Sequence, residues 1–192
     1  MLIVIMGVTG VGKTTVGQLV AQRVGAGFVD ADDFHPPANV EKMRAGIPLD
    51  DTDRRPWLAA LNAHLRAAEA RGDSVVLACS ALKDAYRQML RDGLPGLRFV
   101  HLAGSRALIA SRLAGRTGHY MNPALLDSQF ATLEQPADAL CLDVGAAPEA
   151  LADAVCAAFG PDGAGGTGAA DGAGTAADAG TAVGAAPRGS AP

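Results

Sequence analysis

The stretch Leu2-Ile3-Val4-Ile5-Met6-Gly7-Val8-Thr9-Gly10-Val11-Gly12-Lys13-Thr14 decides how this chain is read. Its opening apolar run, stopped at once by a glycine-rich turn, suits a strand buried on both faces of a parallel sheet. Gly7 to Thr14 matches G-x-x-x-x-G-K-[ST] in full, and helical apolar spacing follows at Val16, Leu19, Val20 and Val24. The glycines permit backbone angles that turn successive N–H groups toward one anion, and the helix start adds partial positive charge. Lys13 is placed to bridge β- and γ-phosphates, and the Thr14 hydroxyl to meet Mg²⁺. A chance glycine turn with an incidental lysine accounts for neither the full motif nor its strand-to-helix setting. The segment therefore reads as a nucleoside triphosphate cradle, made by Gly7, Val8, Thr9, Gly10, Val11, Gly12, Lys13, Thr14 and Thr15.

Beyond the cradle, strands and helices alternate. Gly27-Phe28-Val29 reads as a second short strand running into an acidic cluster. Asp53 is the expected N-cap, with Pro56 in the first turn, of a long helix burying Trp57, Leu61, Leu65 and Ala68. Ser74 to Cys79, Leu97 to Leu102 and Leu140 to Leu142 read as strands. Helices are expected near Leu82–Arg91, Arg106–Leu113 and Glu149–Phe159. This order indicates βαβ units and a mainly parallel five-stranded sheet flanked by helices, with ligands beyond the carboxyl ends of the strands.

The chain has 192 residues, and its end differs in kind from the rest. Residues 160–192 hold 10 Gly, 11 Ala and 3 Pro, with no aromatic residue, Leu or Ile. Such a segment buries too little apolar surface to offset its ordering entropy, so it is expected to be a disordered tail. Residues 1–159 are then expected to form one α/β domain. A net charge of −4 argues against nucleic-acid binding by bulk electrostatics, so an anionic substrate needs a local cluster of positive charge. Cys79, Cys141 and Cys156 are too scattered for a disulfide scaffold or a zinc site. The N-terminal apolar run is short for a membrane span and lacks a signal peptide's charged lead, so a cytoplasmic location is expected.

A GTPase would be expected to show Asn-Lys-x-Asp, yet none of Asn39, Asn62 and Asn122 precedes a lysine. The domain is small for a motor or transporter. A small-molecule kinase is the leading class, and the acceptor site is sought after strands two and three. Asp30 and Asp32, spaced by two on an expected extended chain, would share one side. One would orient Mg²⁺ through water and the other take the proton of an attacking hydroxyl. Asp32 is chosen for the proton, with Asp30, deeper in the strand, nearer the metal. His35 adjoins both. Asp50, Asp51 and Asp53 beside Arg54 and Arg55 read either as a solvated helix start or as a setting in which Arg54 aims its planar fork at an anionic group. Lys83 and Arg87, four apart, are expected to share a helix face as a cationic patch, with Tyr86 between them. Arg112 and Arg116 lead into a loop containing Gly115, Gly118 and His119. That pattern, over about residues 112–125, suits a lid bringing positive charge to the phosphates.

With these residues in place the chain resembles the gluconate kinase (gluconokinase) family of P-loop carbohydrate kinases. The most specific stretch runs from Asp30-Ala31-Asp32-Asp33-Phe34-His35-Pro36-Pro37-Ala38-Asn39 through Gly46-Ile47-Pro48-Leu49 to Asp53-Arg54-Arg55-Pro56-Trp57-Leu58. Cys79-Ser80-Ala81-Leu82-Lys83, Arg116-Thr117-Gly118-His119-Tyr120 and Gln129-Phe130-Ala131-Thr132-Leu133-Glu134 add to it. The resemblance implies a fold like nucleoside monophosphate and shikimate kinases. It also implies ATP with Mg²⁺, and transfer of the γ-phosphoryl to the 6-hydroxyl of D-gluconate. The readings above make Lys13, Asp32 and Arg116 the catalytic candidates, Arg112 a nucleotide contact, and Asp32, His35, Arg54, Lys83 and Arg87 the substrate contacts. Thr14 and Asp30 would serve the metal, and family members are commonly homodimers. Thr117 stands where a lysine is expected in many members. A shikimate kinase should show Gly-Gly-Gly after strand three, where this chain has Cys79-Ser80-Ala81. A nucleotide-binding regulator without catalysis would gain ground if Asp32 or Lys83 were missing, and both are present.

Overall fold

The structure, a computed structural model, describes residues 1–114 and 123–160. The expected tail beyond Gly160, and Arg116 with the rest of the 115–122 segment, lie outside the described residues. Five strands, β1 (Leu2–Met6), β2 (Gly27–Asp30), β3 (Val75–Ala78), β4 (Arg98–Ala103) and β5 (Leu140–Asp143), form one sheet of order β2-β3-β1-β4-β5. Every pairing is parallel. The helices are α1 (Lys13–Val24), α2 (Pro37–Arg44), α3 (Asp51–Ala70), α4 (Asp84–Arg91), α5 (Arg106–Ala114), α6 (Pro123–Thr132) and α7 (Pro148–Phe159).

The apolar run of β1 is continuous because both of its faces are covered. Leu2, Val4 and Met6 join a core with Trp57, Leu58, Leu61 and Leu65 of α3. Ile3 and Ile5 point the other way, into a core with Val16 and Val20 of α1, Ile109 of α5 and Val155 of α7. Alternation along one strand thus feeds two cores, the arrangement expected for a parallel sheet wrapped on both sides. Leu65 has no exposed surface. Leu65→Ala is expected to cost about 2–5 kcal/mol of stability, read as a lower urea midpoint, and a loss below about 1 kcal/mol would contradict this packing.

Registry sets the site. Ile5 lies level with Ala78, and Ala78 level with Asp30, so β1, β3 and β2 end in line. Their continuations, beginning at Gly7, Cys79 and Ala31, therefore open onto one edge of the sheet. The Gly7 N–H donates to Ser80 O at 3.4 Å and the Cys79 N–H to Ile5 O at 3.1 Å, which stitches two of these loops together.

Two local expectations are corrected, and two further helices are present. The long helix starts at Asp51 rather than beyond Asp53: Asp50 is its N-cap, and Asp53 is the third residue of a reciprocal capping box. The Asp50 carboxylate accepts the Asp53 N–H at 2.8 Å, and the Asp53 carboxylate accepts the Asp50 N–H at 3.1 Å. The Asp30–Asp32 pair does not lie on an extended chain. Asp30 caps a 3-10 turn, Ala31–Phe34, by accepting the Asp32 N–H at 3.1 Å, so the backbone coils between the two carboxylates. The helices α2 and α6 went unread. The first is entered through Pro36-Pro37, and Asn39 and Lys42 dock it onto the carbonyl and carboxylate of Asp53.

Candidate active site

The cradle closes around the start of α1. Gly12 is its N-cap in the left-handed region, φ +99°, with open space where a side chain would begin. Gly7 sits at φ +142°, and a Cβ there would lie 2.7 Å from the Leu102 carbonyl oxygen, so the loop can pass β4 only as glycine. Lys13, half-buried, donates from Nζ to the carbonyls of Gly7 and Val8, both at 3.1 Å. Burial lowers the pKa of its ammonium, while the carboxylates of Asp32 and Asp30 push it back up. The Thr14 hydroxyl donates to Asp30 Oδ2 at 3.1 Å. These two oxygen donors fit a hard cation such as Mg²⁺, which keeps several waters and takes few protein ligands. Among the described residues no group of three or more His, Cys, Asp or Glu forms a metal cage. A cation here would therefore need the phosphate oxygens as well.

A cleft of about 330 Å³ runs from the cradle along α1, lined by Gly10, Gly12, Thr15, Arg112, Ala146 and Pro148 among others. Arg112, on the last turn of α5, donates to Val144 O at 2.5 Å, which holds it against the turn after β5. It thereby lines the cleft together with Gly10, Gly12 and Thr15.

Asp32 stands on the acceptor side. Its side chain is 89% exposed, and its Oδ1 lies 4.0 Å from His35 Nε2. Its carboxyl nevertheless sits above the ordinary Asp value. Partial desolvation by the surrounding chain and the nearby Asp30 carboxylate raise it, while Lys13 and His35 pull the other way. His35 packs flat on Trp57, ring centroids 4.4 Å apart and planes 12° from parallel. Trp57 is pinned by its Nε1–H to Ala31 O at 2.7 Å. The His35 side chain is only 7% exposed, and burial, followed by the Arg54 charge, favours its neutral form against the pull of Asp32. Its Nδ1 has no hydrogen-bond partner among the described residues, and neither has Nε of Arg54. Buried polar atoms without partners are costly, and Nε of Arg87 is a third such atom among the described residues.

Arg54 donates to Leu49 O at 3.2 Å and lies over the Tyr86 ring, 5.6 Å from its centroid. Lys83 also approaches that ring, at 5.5 Å, and its Nζ meets Asp51 at 2.7 Å. The Tyr86 hydroxyl donates to the same carboxylate. Hydrogen bonds from Lys83 and then Tyr86 hold Asp51 below the ordinary Asp value. Asp50 and Asp53 are therefore helix caps, whereas Asp51 pairs with Lys83 and Tyr86.

The expected Lys83–Arg87 patch is not formed. Lys83 is the extended N-cap of α4, outside the helix, while Arg87 is 2% exposed within it. Arg87 donates from Nη1 to Ala81 O at 3.2 Å and Leu82 O at 3.1 Å. Ala81 is the only described non-glycine residue with positive φ, +42°, a strained turn that Arg87 braces from beneath. The packing of α4 turns Tyr86, Arg87 and Leu90 inward together, and spacing alone does not say which face of a short helix is covered.

The sequence reading passed over two side chains at this edge. Gln129 of α6 accepts the Thr9 N–H of the cradle at 2.6 Å, and Glu134 accepts the Asp84 N–H at the start of α4 at 2.5 Å. Their only signal was their place in the family-like run Gln129–Glu134.

Residues 2–136 match a family described as an AAA domain. A gluconokinase of Gluconobacter oxydans (strain 621H) is 53% identical over 137 residues, spanning 71% of this chain and 76% of that protein. The crystal structure of a gluconokinase from Sinorhizobium meliloti 1021 superposes with a TM-score of 0.72 at 44% identity, covering 79% of this chain and 87% of that one. An unliganded sugar kinase from Janibacter sp. HTCC2649 gives 0.75 at 44% identity, over 80% and 91% of the two chains.

Proposed function

The chain belongs to the gluconokinase family, and from that premise we propose that it moves the ATP γ-phosphoryl to the 6-hydroxyl of D-gluconate, giving 6-phospho-D-gluconate and ADP. The observation that supports the reading is that Asp32, 4.0 Å from His35 Nε2, follows Asp30, whose carboxylate meets Thr14 of the cradle at 3.1 Å. The 6-hydroxyl oxygen attacks the γ-phosphorus, its proton passes to Asp32, and the bond to the β,γ-bridging oxygen breaks to release ADP. Lys13 leaves the Gly7 and Val8 carbonyls for the β- and γ-phosphate oxygens and stabilises the charge they spread. Arg112 serves the nucleotide side, and Arg116 is assigned to the transferring phosphoryl. Thr14 and Asp30 would hold Mg²⁺, which neutralises phosphate charge when bound. Within this reading the enzyme is a cytoplasmic homodimer, which light scattering on the purified chain checks. Among the described residues no helix is long and apolar enough to cross a membrane.

Gluconate needs a cation for its carboxylate and polar groups along its chain. Arg54 and Lys83 supply the first, and His35, with its unpartnered Nδ1, the second. Arg87 contributes by shaping the Ala81–Leu82 turn. Arg54→Ala is expected to raise gluconate KM about 10–100-fold with kcat nearly kept, since a charged hydrogen bond of about 1.5–3 kcal/mol is felt alike before and during transfer. An unmoved KM would take Arg54 out of the substrate site. The deciding assay for the whole reading measures ADP release over gluconate, shikimate and nucleoside monophosphates. Turnover confined to gluconate supports it, and preference for shikimate or a nucleotide would replace it.

A further inference from the structure

One turn of chain joins the two halves of the site. At one end Gln129 Oε1 accepts the Thr9 N–H inside the Gly7–Thr14 cradle. At the other the Glu134 N–H donates to Leu82 O at 2.9 Å, and the Glu134 carboxylate receives the Asp84 N–H, directly beside Lys83. Leu133, between them, packs against both hydrophobic cores, so the turn is anchored to the layers on either side of the sheet. From Lys83 the chain of contacts continues through Asp51 to the Tyr86 hydroxyl. The segment therefore touches the phosphate loop and the acceptor wall through polar contacts at each end, with a packed side chain in the middle.

We propose that Gln129 and Glu134 are positioning residues that couple the two substrates, so that filling the triphosphate cradle tightens gluconate binding and the reverse. The physical element is the Thr9 N–H, for which Gln129 Oε1 competes with any phosphate oxygen entering the loop. Release of that carboxamide shifts the turn, and Glu134 passes the shift to Asp84 and Lys83. The coupling must be reciprocal, because each ligand changes the other's affinity by one and the same factor. The inference rests on gluconate as the acceptor.

The test is calorimetric titration of gluconate into the full chain, with and without a non-hydrolysable ATP analogue and Mg²⁺. The wild type is expected to bind gluconate at least about 5-fold more tightly when the analogue is present. Gln129→Leu and Glu134→Ala should each bring that factor close to one while gluconate affinity without the analogue changes little. Glu134→Gln, which keeps an acceptor for the Asp84 N–H, should restore much of it. A side chain needed only for folding would lower both affinities and leave their ratio alone. Hydrogen exchange on the wild type needs no variant: the analogue alone should change protection at Asp84, and gluconate alone at Thr9. A wild-type ratio of one, ratios unchanged in both variants, or exchange confined to each ligand's own loop overturns the coupling and leaves the gluconate reading standing. Failure of gluconate to bind the wild type at all overturns both.

Discussion

Replacing Lys13 by Ala is expected to lower kcat by about 10²–10³-fold or more, the cost of removing one preorganised charge from the atoms where negative charge gathers. The fold should survive. Among the described residues Lys13 Nζ hydrogen-bonds to two backbone carbonyls, those of Gly7 and Val8, and burial already works against its charged form. Circular dichroism and melting temperature should therefore stay near the wild type while steady-state turnover collapses. Turnover within a few-fold of wild type in a folded Lys13→Ala protein would remove the cradle from the reaction.

Asp32→Asn is the second large effect. The variant keeps shape and loses the basic oxygen, so kcat should drop by about 10²–10⁴-fold, the usual contribution of a positioned base. Binding of the ATP analogue, titrated separately, should barely change, because Thr14 and Asp30 remain. The wild-type pH profile offers an independent check. Asp32 must be ionised to accept the proton, and its pKa is raised above the ordinary 3.8 by desolvation and by Asp30. Activity should therefore fall on acidification through a limb lying above 3.8, and the limb should disappear from the residual rate of Asp32→Asn. A fully active variant, or an acid limb that persists in it, would transfer the proton acceptor's role to another group.

The succession of the five strands and of five of the seven described helices was legible in the sequence because each strand carries its own signal. Leu2–Met6 and Val75–Ala78 are apolar throughout since both faces are covered, and the glycine turn after Met6 can hardly be read as anything but a phosphate loop. The residues proposed for the acceptor side, Asp32, His35, Arg54 and Lys83, could also be named from the sequence. Their arrangement could not be read from it. Asp30 captures the N–H two residues on and coils the chain that was expected to be extended, a choice between two backbone hydrogen-bond schemes of similar energy. Asp50 and Asp53 cap each other, which moves the helix start and leaves Asp51 to pair with Lys83 and Tyr86. Arg87 looks like a surface cation by type and spacing, yet the eight-residue α4 presents it to the interior, where strained Ala81 needs its donors. The contact between Gln129 and Thr9 bridges 120 residues of chain. Motif and periodicity are local, so the sequence by itself determined the sheet, the cradle and the inventory of reactive groups. Which carboxylate caps, which cation is buried and which distant side chain reaches the phosphate loop depend on how the helices settle on the sheet, and only the tertiary structure decided them.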